Sequence, residues 1–444
     1  MITAYAFSIF DECVEVKPLF GRPLARGCGM RRYRNLPRFL ICSLIMLMAA
    51  GCAATYAPRP LADVNSLGRA QTISQGDIRV TAAVLSAEET EQVFGFPLYK
   101  RGIQPVWLKI ENKEAEPTWF LPVGLDPDYF SPLEVAYPYH RAFQTAYNRQ
   151  IDLYFQQQAM GLYIAPGAVR SGFVFTNLDL GTKIFNVDLV GEDNDPKTFT
   201  FFITVPGLIA DHRHVEFENL YSANQLVTLD EDGLRKALEN IPCCPTNADG
   251  TEQHAPINIV LIGDGLDLLR VLIRSGWNET AAGTHSASQP EIAADIPNSS
   301  RYEAIVPLYY YGRPQDGSFR DDRPTGYGRS VLRLWLSPMR FEGKPVWVGL
   351  INREISQLLQ LFINQKLDLD EVRTFLLENL WYSQAIARYG FVKGAGPNPV
   401  LQPREIAGGI YYLTDGYRLV LWISKKSVPL NEVVAMDWEI PIKR

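Results

Sequence analysis

Arg313, Asp316, Arg333, Asp368, Asp370 and Arg373 are the side chains in this sequence best suited to act as a group. Arginine forks onto carboxylates bidentately, so such a set can organise a cleft for an anionic group such as phosphate. The same residues can equally form one ion-pair network locking a long helix to a sheet. That structural reading is preferred, because charge pairs hold folds as readily as they bind ligands. His212 and His214 would share one face of an extended segment. Without an evident third ligand they are read as surface histidines rather than a metal site. Gly263-Asp264-Gly265 has the spacing of a dinucleotide loop, but Leu268 stands where the third glycine belongs, so a tight strand-to-helix turn is expected. There is no G-x-S-x-G elbow, P-loop or H-E-x-x-H. No catalytic residue, metal site or cofactor is therefore assigned.

The six cysteines divide by position. Cys13, Cys28 and Cys42 fall in the leader region, Cys52 follows an apolar run, and Cys243 and Cys244 are adjacent. Neighbouring Cα atoms lie about 3.8 Å apart, below the usual disulfide window of about 4.4–6.8 Å. A Cys243–Cys244 bond would be strained and easily reduced; two thiols tucked into a turn are the other reading.

Arg31, Arg32, Arg34 and Arg38 lead into an apolar run over residues 39–50, then Gly51-Cys52. A positive approach, a short apolar stretch and small residues before a cleavage point mark an export signal. The run is shorter than the roughly 20 residues needed to cross a bilayer. Ala49-Ala50-Gly51-Cys52 resembles the bacterial lipoprotein box, which implies acylation of Cys52 and cleavage just before it. Ala53 is not Asp, and by the sorting rule of such lipoproteins this implies the inner leaflet of the outer membrane. Residues 30–51 are thus expected to be a signal peptide, and residues 1–29 a mis-assigned start preceding Met30. The partners implied are a membrane, reached through the lipid anchor, and an envelope protein. A net charge of −6, with no basic stripe among aromatics, argues against nucleic acid.

Pro58, Pro60, Ser66 and Gly68 punctuate residues 52–76, read as a tether. From 77 to 206 short alternating runs predict an antiparallel, immunoglobulin-like sandwich. A helical insertion over 131–160 opens on Ser131-Pro132-Leu133-Glu134, with Phe143, Tyr147, Ile151, Tyr154 and Phe155 on one face. Residues 207–256 are read as a bridging segment, with a strand over 215–220 and a short helix after Asp230. Residues 257–425 predict an α+β domain, a mixed sheet under two principal helices. In it, residues 257–262 form a strand buried on both faces, followed by a helix with Leu266, Leu269 and Ile273 inward. Asp368 caps a long helix running to Gly390, and a hairpin turns on Thr414-Asp415-Gly416. Residues 426–444 are read as a tail.

Within this second part, Pro256-Ile257-Asn258-Ile259-Val260-Leu261-Ile262-Gly263, Gly312-Arg313-Pro314-Gln315-Asp316 and Arg333-Leu334-Trp335 stand in order. Gly343-Lys344-Pro345-Val346-Trp347-Val348-Gly349, Asp368-Leu369-Asp370-Glu371-Val372-Arg373 and Leu380-Trp381-Tyr382-Ser383-Gln384-Ala385 follow. Together they resemble the LssY C-terminal domain family over roughly residues 225–425. The resemblance implies a bacterial protein with a membrane setting and no assigned reaction. Val331 and Gln365 stand near places where members often show histidine, so no histidine chemistry is carried over. The expected function is that of a lipid-anchored envelope protein that binds or scaffolds. The alternative is an envelope hydrolase or accessory factor acting on a phosphorylated or lipidic substrate.

Overall fold

Two runs of alternating apolar and polar residues build the first part of the chain. The strands are β1 (Gln71–Gln75), β2 (Ile78–Val84), β3 (Ile103–Asn112), β4 (Thr118–Leu121), β5 (Tyr163–Ile164), β6 (Val169–Asn177), β7 (Gly181–Val190) and β8 (Pro196–Val205). Among the described residues, one antiparallel sheet has the order β1-β2-β3-β6 and a second the order β5-β4-β7-β8. The computed structural model describes residues 56–441 except 62–67, 193–195, 282–296, 298–301, 322–327, 355–365, 395, 399–403 and 407–409. Period-2 patterning sends Val80, Leu108, Val174, Phe185, Val187 and Phe201 into one shared core between the two sheets. The turn after β3 is set by Asn112, whose side-chain carbonyl accepts the Glu114 amide at 3.0 Å.

A second, aromatic cluster covers the outer side of the first sheet. It is made by α1 (Ala87–Phe94), α2 (Pro132–Ala136) and α3 (Thr145–Gln158). Ser131 caps α2 reciprocally with Glu134, and Tyr137-Pro138-Tyr139 then tightens into a 3-10 turn that ends it. Tyr147, Ile151 and Phe155 face inward beside Phe94, Phe173 and Phe175. Phe143 does not join them: it precedes α3, at φ 62°, and is fully exposed. The tether reading of 52–76 is corrected where residues are described. Tyr56 stacks on Phe96 at 5.4 Å and gives its hydroxyl proton to the Phe94 carbonyl, while residues 71–75 are an edge strand. Edge strand β1 shows no apolar alternation because most of its residues face solvent.

The second part comprises β9 (Val227–Leu229), α4 (Glu231–Asn240), β10 (Ile259–Ile262), α5 (Gly265–Arg274), β11 (Trp277–Glu279), β12 (Tyr309–Tyr310), β13 (Arg313–Pro314) and β14 (Gly317–Asp321). It continues with β15 (Arg329–Phe341), β16 (Lys344–Glu354), β17 (Lys366–Asp368), α6 (Leu369–Tyr382), β18 (Ile386–Lys393), β19 (Arg404–Ile406), β20 (Ile410–Leu413), β21 (Tyr417–Ile423) and β22 (Val434–Ala435). The main sheet runs β11-β14-β15-β16-β10-β21-β18-β22. It is mixed: β10 lies parallel to β21, β22 parallel to β18, and β9 parallel to the end of β15. Strand β10 has all four residues buried, Ile259 and Leu261 on the α5–α6 face and Val260 and Ile262 on the α4 face. The fold is mostly β-sheet, and residues from 55 on form one compact unit.

Several expected boundaries shift. Residues 215–220 form turns rather than a strand, and the bridge reading of 207–256 gives way because β9 and α4 pack into the main sheet. On α5 the inward residues are Leu268, Leu269, Val271 and Leu272, while Leu266 is exposed. Helix α6 stops at Tyr382; Gln384 turns the chain at φ 57°, and the apolar run beyond it becomes β18, with Gly390 under Met436 and Trp438. A side chain at Gly390 would meet Met436 Cβ at 3.1 Å, so a sheet neighbour and not a helix end requires this glycine. Strands β20 and β21 do not form a hairpin: β20 lies between β17 and β19, and the Thr414-Asp415-Gly416 turn carries the chain into the main sheet. Residues 426–444 are not a free tail in their described part, since β22 pairs with β18 and Trp438 meets Trp422 edge-on at 5.4 Å.

Candidate functional site

Because the inner residues of β8 are used by the sandwich core, Phe202 and Thr204 point the other way, toward the main sheet. There a cleft of about 380 Å³ opens between β7 and β8 on one side and α5, β14, β15 and β16 on the other. Leu268 and Leu269 of α5, Phe319, Leu334 and Trp347 give it an apolar interior. Volume and lining fall in the range of small-molecule sites, about 300–1,000 Å³ and mostly apolar.

Two polar residues of the lining, His212 and Arg213, come from one short 3-10 turn, Asp211–His214, and Gln71, Thr182, Thr204 and Asp316 supply the others. Asp211 is buried and accepts the Ser318 hydroxyl at 2.6 Å and the Gln315 amide at 3.3 Å. His212 lines the cleft, and its Nδ1 lies 3.3 Å from Oε1 of Glu279, at the end of β11. Glu279 also accepts the backbone amide of Thr182 at 2.6 Å and its hydroxyl at 3.3 Å. Burial pushes the Glu279 carboxyl up to about 7, opposed by the Thr182 donors. Burial pulls His212 down to about 4, helped by the nearby charges of Arg213 and His214. His212 is therefore uncharged near neutrality, so its contact with Glu279 is not an ion pair. Arg213 is exposed at the rim, donating to the Thr204 hydroxyl at 2.8 Å, and its charge reaches Glu279, where it opposes the rise caused by burial.

The six residues singled out by sequence fall into three separate groups rather than one network. Arg313 forks onto Asp316 with two 2.9 Å bonds and donates to the Leu336 carbonyl at 2.6 Å, while Asp316 accepts the Leu336 amide at 2.6 Å. The Arg-Pro-Gln-Asp segment thus satisfies both backbone groups of Leu336, where the β15–β16 register shifts. Arg333, 3% exposed, binds Glu354 at 2.6 Å and Asn352 at 3.2 Å. At the start of α6, Asp368 caps the amides of Asp370 and Glu371. Arg373 forks onto Asp415 at 2.8 and 2.6 Å, and Asp370 accepts the Thr414 hydroxyl and the Asp415 amide. Burial raises the Asp370 carboxyl, with the Arg373 charge opposing and Asp415 adding to the rise. Of the six, Asp316 alone borders the cleft, with its carboxylate fully engaged. Chain separation explains the division: β13, β15 and α6 occupy different places around the main sheet.

Other expected features have local explanations. Cys243 and Cys244 are joined by a disulfide, and the Cys243 carbonyl accepts the Ile257 amide at 2.8 Å. His212 and His214 sit in a 3-10 turn, not an extended segment; His212 is partly buried and His214 exposed. At the strand-to-helix turn, Trp347 donates its indole proton to the Gly263 carbonyl at 3.1 Å, and its ring would lie 3.4 Å from a side chain at Gly265. A side chain at Gly263 would meet Leu268 at 2.9 Å and Ile423 at 3.0 Å, so close helix–strand packing requires that glycine. Cys52 lies outside the described residues, as does the apolar run before it. Among the described residues no helix is long and apolar enough to cross a membrane.

Sequence reading missed Glu279, Asp211 and Thr182, which carry no motif. A single acidic residue closing the Trp277-Asn278-Glu279 strand was the available signal. No curated protein matches the chain closely enough to count as a relative. Residues 236–417 match the family model described as LssY C-terminus, so the chain carries an LssY-like C-terminal domain.

Proposed function

We propose that this protein is a lipid-anchored binding module of the bacterial cell envelope, acylated at Cys52 and facing the periplasm from the outer membrane. An immunoglobulin-like sandwich follows the anchor, and the LssY-like domain lies beyond it in sequence. Two antiparallel sheets around one core support the sandwich reading. The cleft carries the binding reading: it is apolar, while the strongest charge pairs are consumed in holding backbone and helix ends.

The test is a photo-crosslinking residue at Leu266, exposed at the cleft in the full chain and expressed in its own envelope. A discrete adduct at Leu266, absent when the probe sits at exposed Val434 outside the cleft lining, is the expected result. Equal labelling at both positions refutes the binding role. Separately, Cys52→Ser should release the protein from the membrane pellet; retention through high-salt washing refutes the anchor. The His212–Glu279 contact favours a second reading, an envelope hydrolase using His212 as base. Turnover of a phosphorylated or lipidic ester, abolished by His212→Ala, would establish that reading instead.

A further inference from the structure

We infer that the cleft takes a single-chain alkyl carboxylate, its tail among the apolar side chains and its head on Arg213. This rests on the reading of the cleft as the binding site. The interior and rim differ in kind. Leu268, Leu269, Phe319, Leu334 and Trp347 are buried, whereas Gln71, Thr204 and Arg213 are exposed. An apolar slot with a polar rim suits an amphiphile and disfavours a ligand polar along its length.

Charge selects the head. Asp316 reaches the lining with its negative charge already matched by Arg313, and the Leu336 amide occupies it further. His212 is neutral near neutrality. Arg213 donates to the Thr204 hydroxyl and forms no ion pair among the described residues, and the carboxyl its charge reaches, Glu279, is buried and holds its proton up to about 7, so Arg213 is the cation of the lining. One planar guanidinium matches one carboxylate in charge and in fork geometry, whereas a phosphate dianion calls for more cations.

Size selects the tail. At about 380 Å³ the cleft sits near the lower end of the roughly 300–1,000 Å³ range of small-molecule sites, which suits one alkyl chain of medium length. Gly317 lines the same space, and within 4 Å a side chain there would meet only Phe319, at 3.6 Å. A larger residue at Gly317 would therefore extend into the cleft.

Decanoate is titrated into the full chain held in lipid nanodiscs, with empty nanodiscs subtracted and decanol as the headless control. Saturable decanoate binding is expected, weakened at least tenfold by Arg213→Gln, with decanol binding unchanged. Gly317→Leu should weaken both ligands alike. Absence of saturable decanoate binding, equal loss of both ligands in Arg213→Gln, or tighter binding of decyl phosphate overturns the proposal. If Leu266 still yields its discrete adduct in that case, the ligand class is wrong and the binding module stands. If the adduct is missing too, both readings fall.

Discussion

Nδ1 of His212 lies 3.3 Å from Oε1 of Glu279, and neither group holds its ordinary proton affinity. Glu279 rises from 4.5 to about 7 on folding, chiefly through burial. A carboxyl with a raised folded value is neutral below the unfolded value and adds no penalty there. As pH climbs through the folded value, ionisation in a buried site costs stability, reaching about 3 kcal/mol above both values. Glu279→Gln mimics the protonated form, keeping an acceptor for the Thr182 amide. The variant should match the parent at pH 4 and exceed it by about 1–3 kcal/mol at pH 8, measured by urea unfolding. A variant less stable at pH 8 would show that Glu279 is needed as an anion.

The Arg313–Asp316 pair is a backbone clamp as well as an ion pair. Asp316→Ala strands the Leu336 amide and leaves Arg313 without its counter-charge, which should cost about 3–5 kcal/mol. Arg313→Met with Asp316→Leu removes both charges and should cost less than Asp316→Ala alone. Denaturant midpoints of the single and double variants decide it. Additive losses would mean that the two side chains act independently.

Arg373 holds Asp415 by two bonds and stands 3.5 Å from Asp370. Arg373→Met leaves two carboxylates facing each other with little water, so their folded values rise. The resulting penalty exists above the unfolded carboxylate range and fades as pH falls through it. The loss should be about 3–5 kcal/mol at pH 7 and clearly smaller at pH 4. Adding Asp415→Asn should restore part of it at pH 7. A loss independent of pH would assign Arg373 a packing role only.

Glu342 and Gly343 both adopt positive φ, 50° and 75°, in the two-residue turn between β15 and β16. Asn tolerates that conformation where Glu does not, and the exposed Glu342–Arg388 pair adds little. Glu342→Asn should therefore raise stability by about 0.5–1 kcal/mol, read as a higher Tm with an unchanged denaturant slope. A lower Tm would mean that the ion pair outweighs the turn.

Legibility followed the reach of each signal. Strands β2, β3, β7 and β8 carry period-2 patterns written over seven to ten consecutive residues, and Ser131 or Asp368 announces its helix within one turn. The end of α6 was not legible, because β18 is itself apolar and the stop at Tyr382 depends on a left-handed Gln384. Strand β1 was hidden for the opposite reason: as a solvent-facing edge it has almost nothing apolar to display. Arg313 and Asp316 were recognisable as partners three residues apart, but not as the clamp on Leu336, twenty positions further on.

By itself, the sequence determined that the chain is β-rich, carries an LssY-like region, and contains arginines and aspartates at helix starts and turns. Those properties reside in neighbouring residues, where pattern and capping act directly. Tertiary structure alone decided the cleft. Phe202, His212, Leu268 and Trp347 are an ordinary strand, turn, helix and strand residue until the outer face of one sheet meets the flank of another. It likewise decided the proton on Glu279, since burial and the Thr182 amide set that affinity and both arrive from distant parts of the chain.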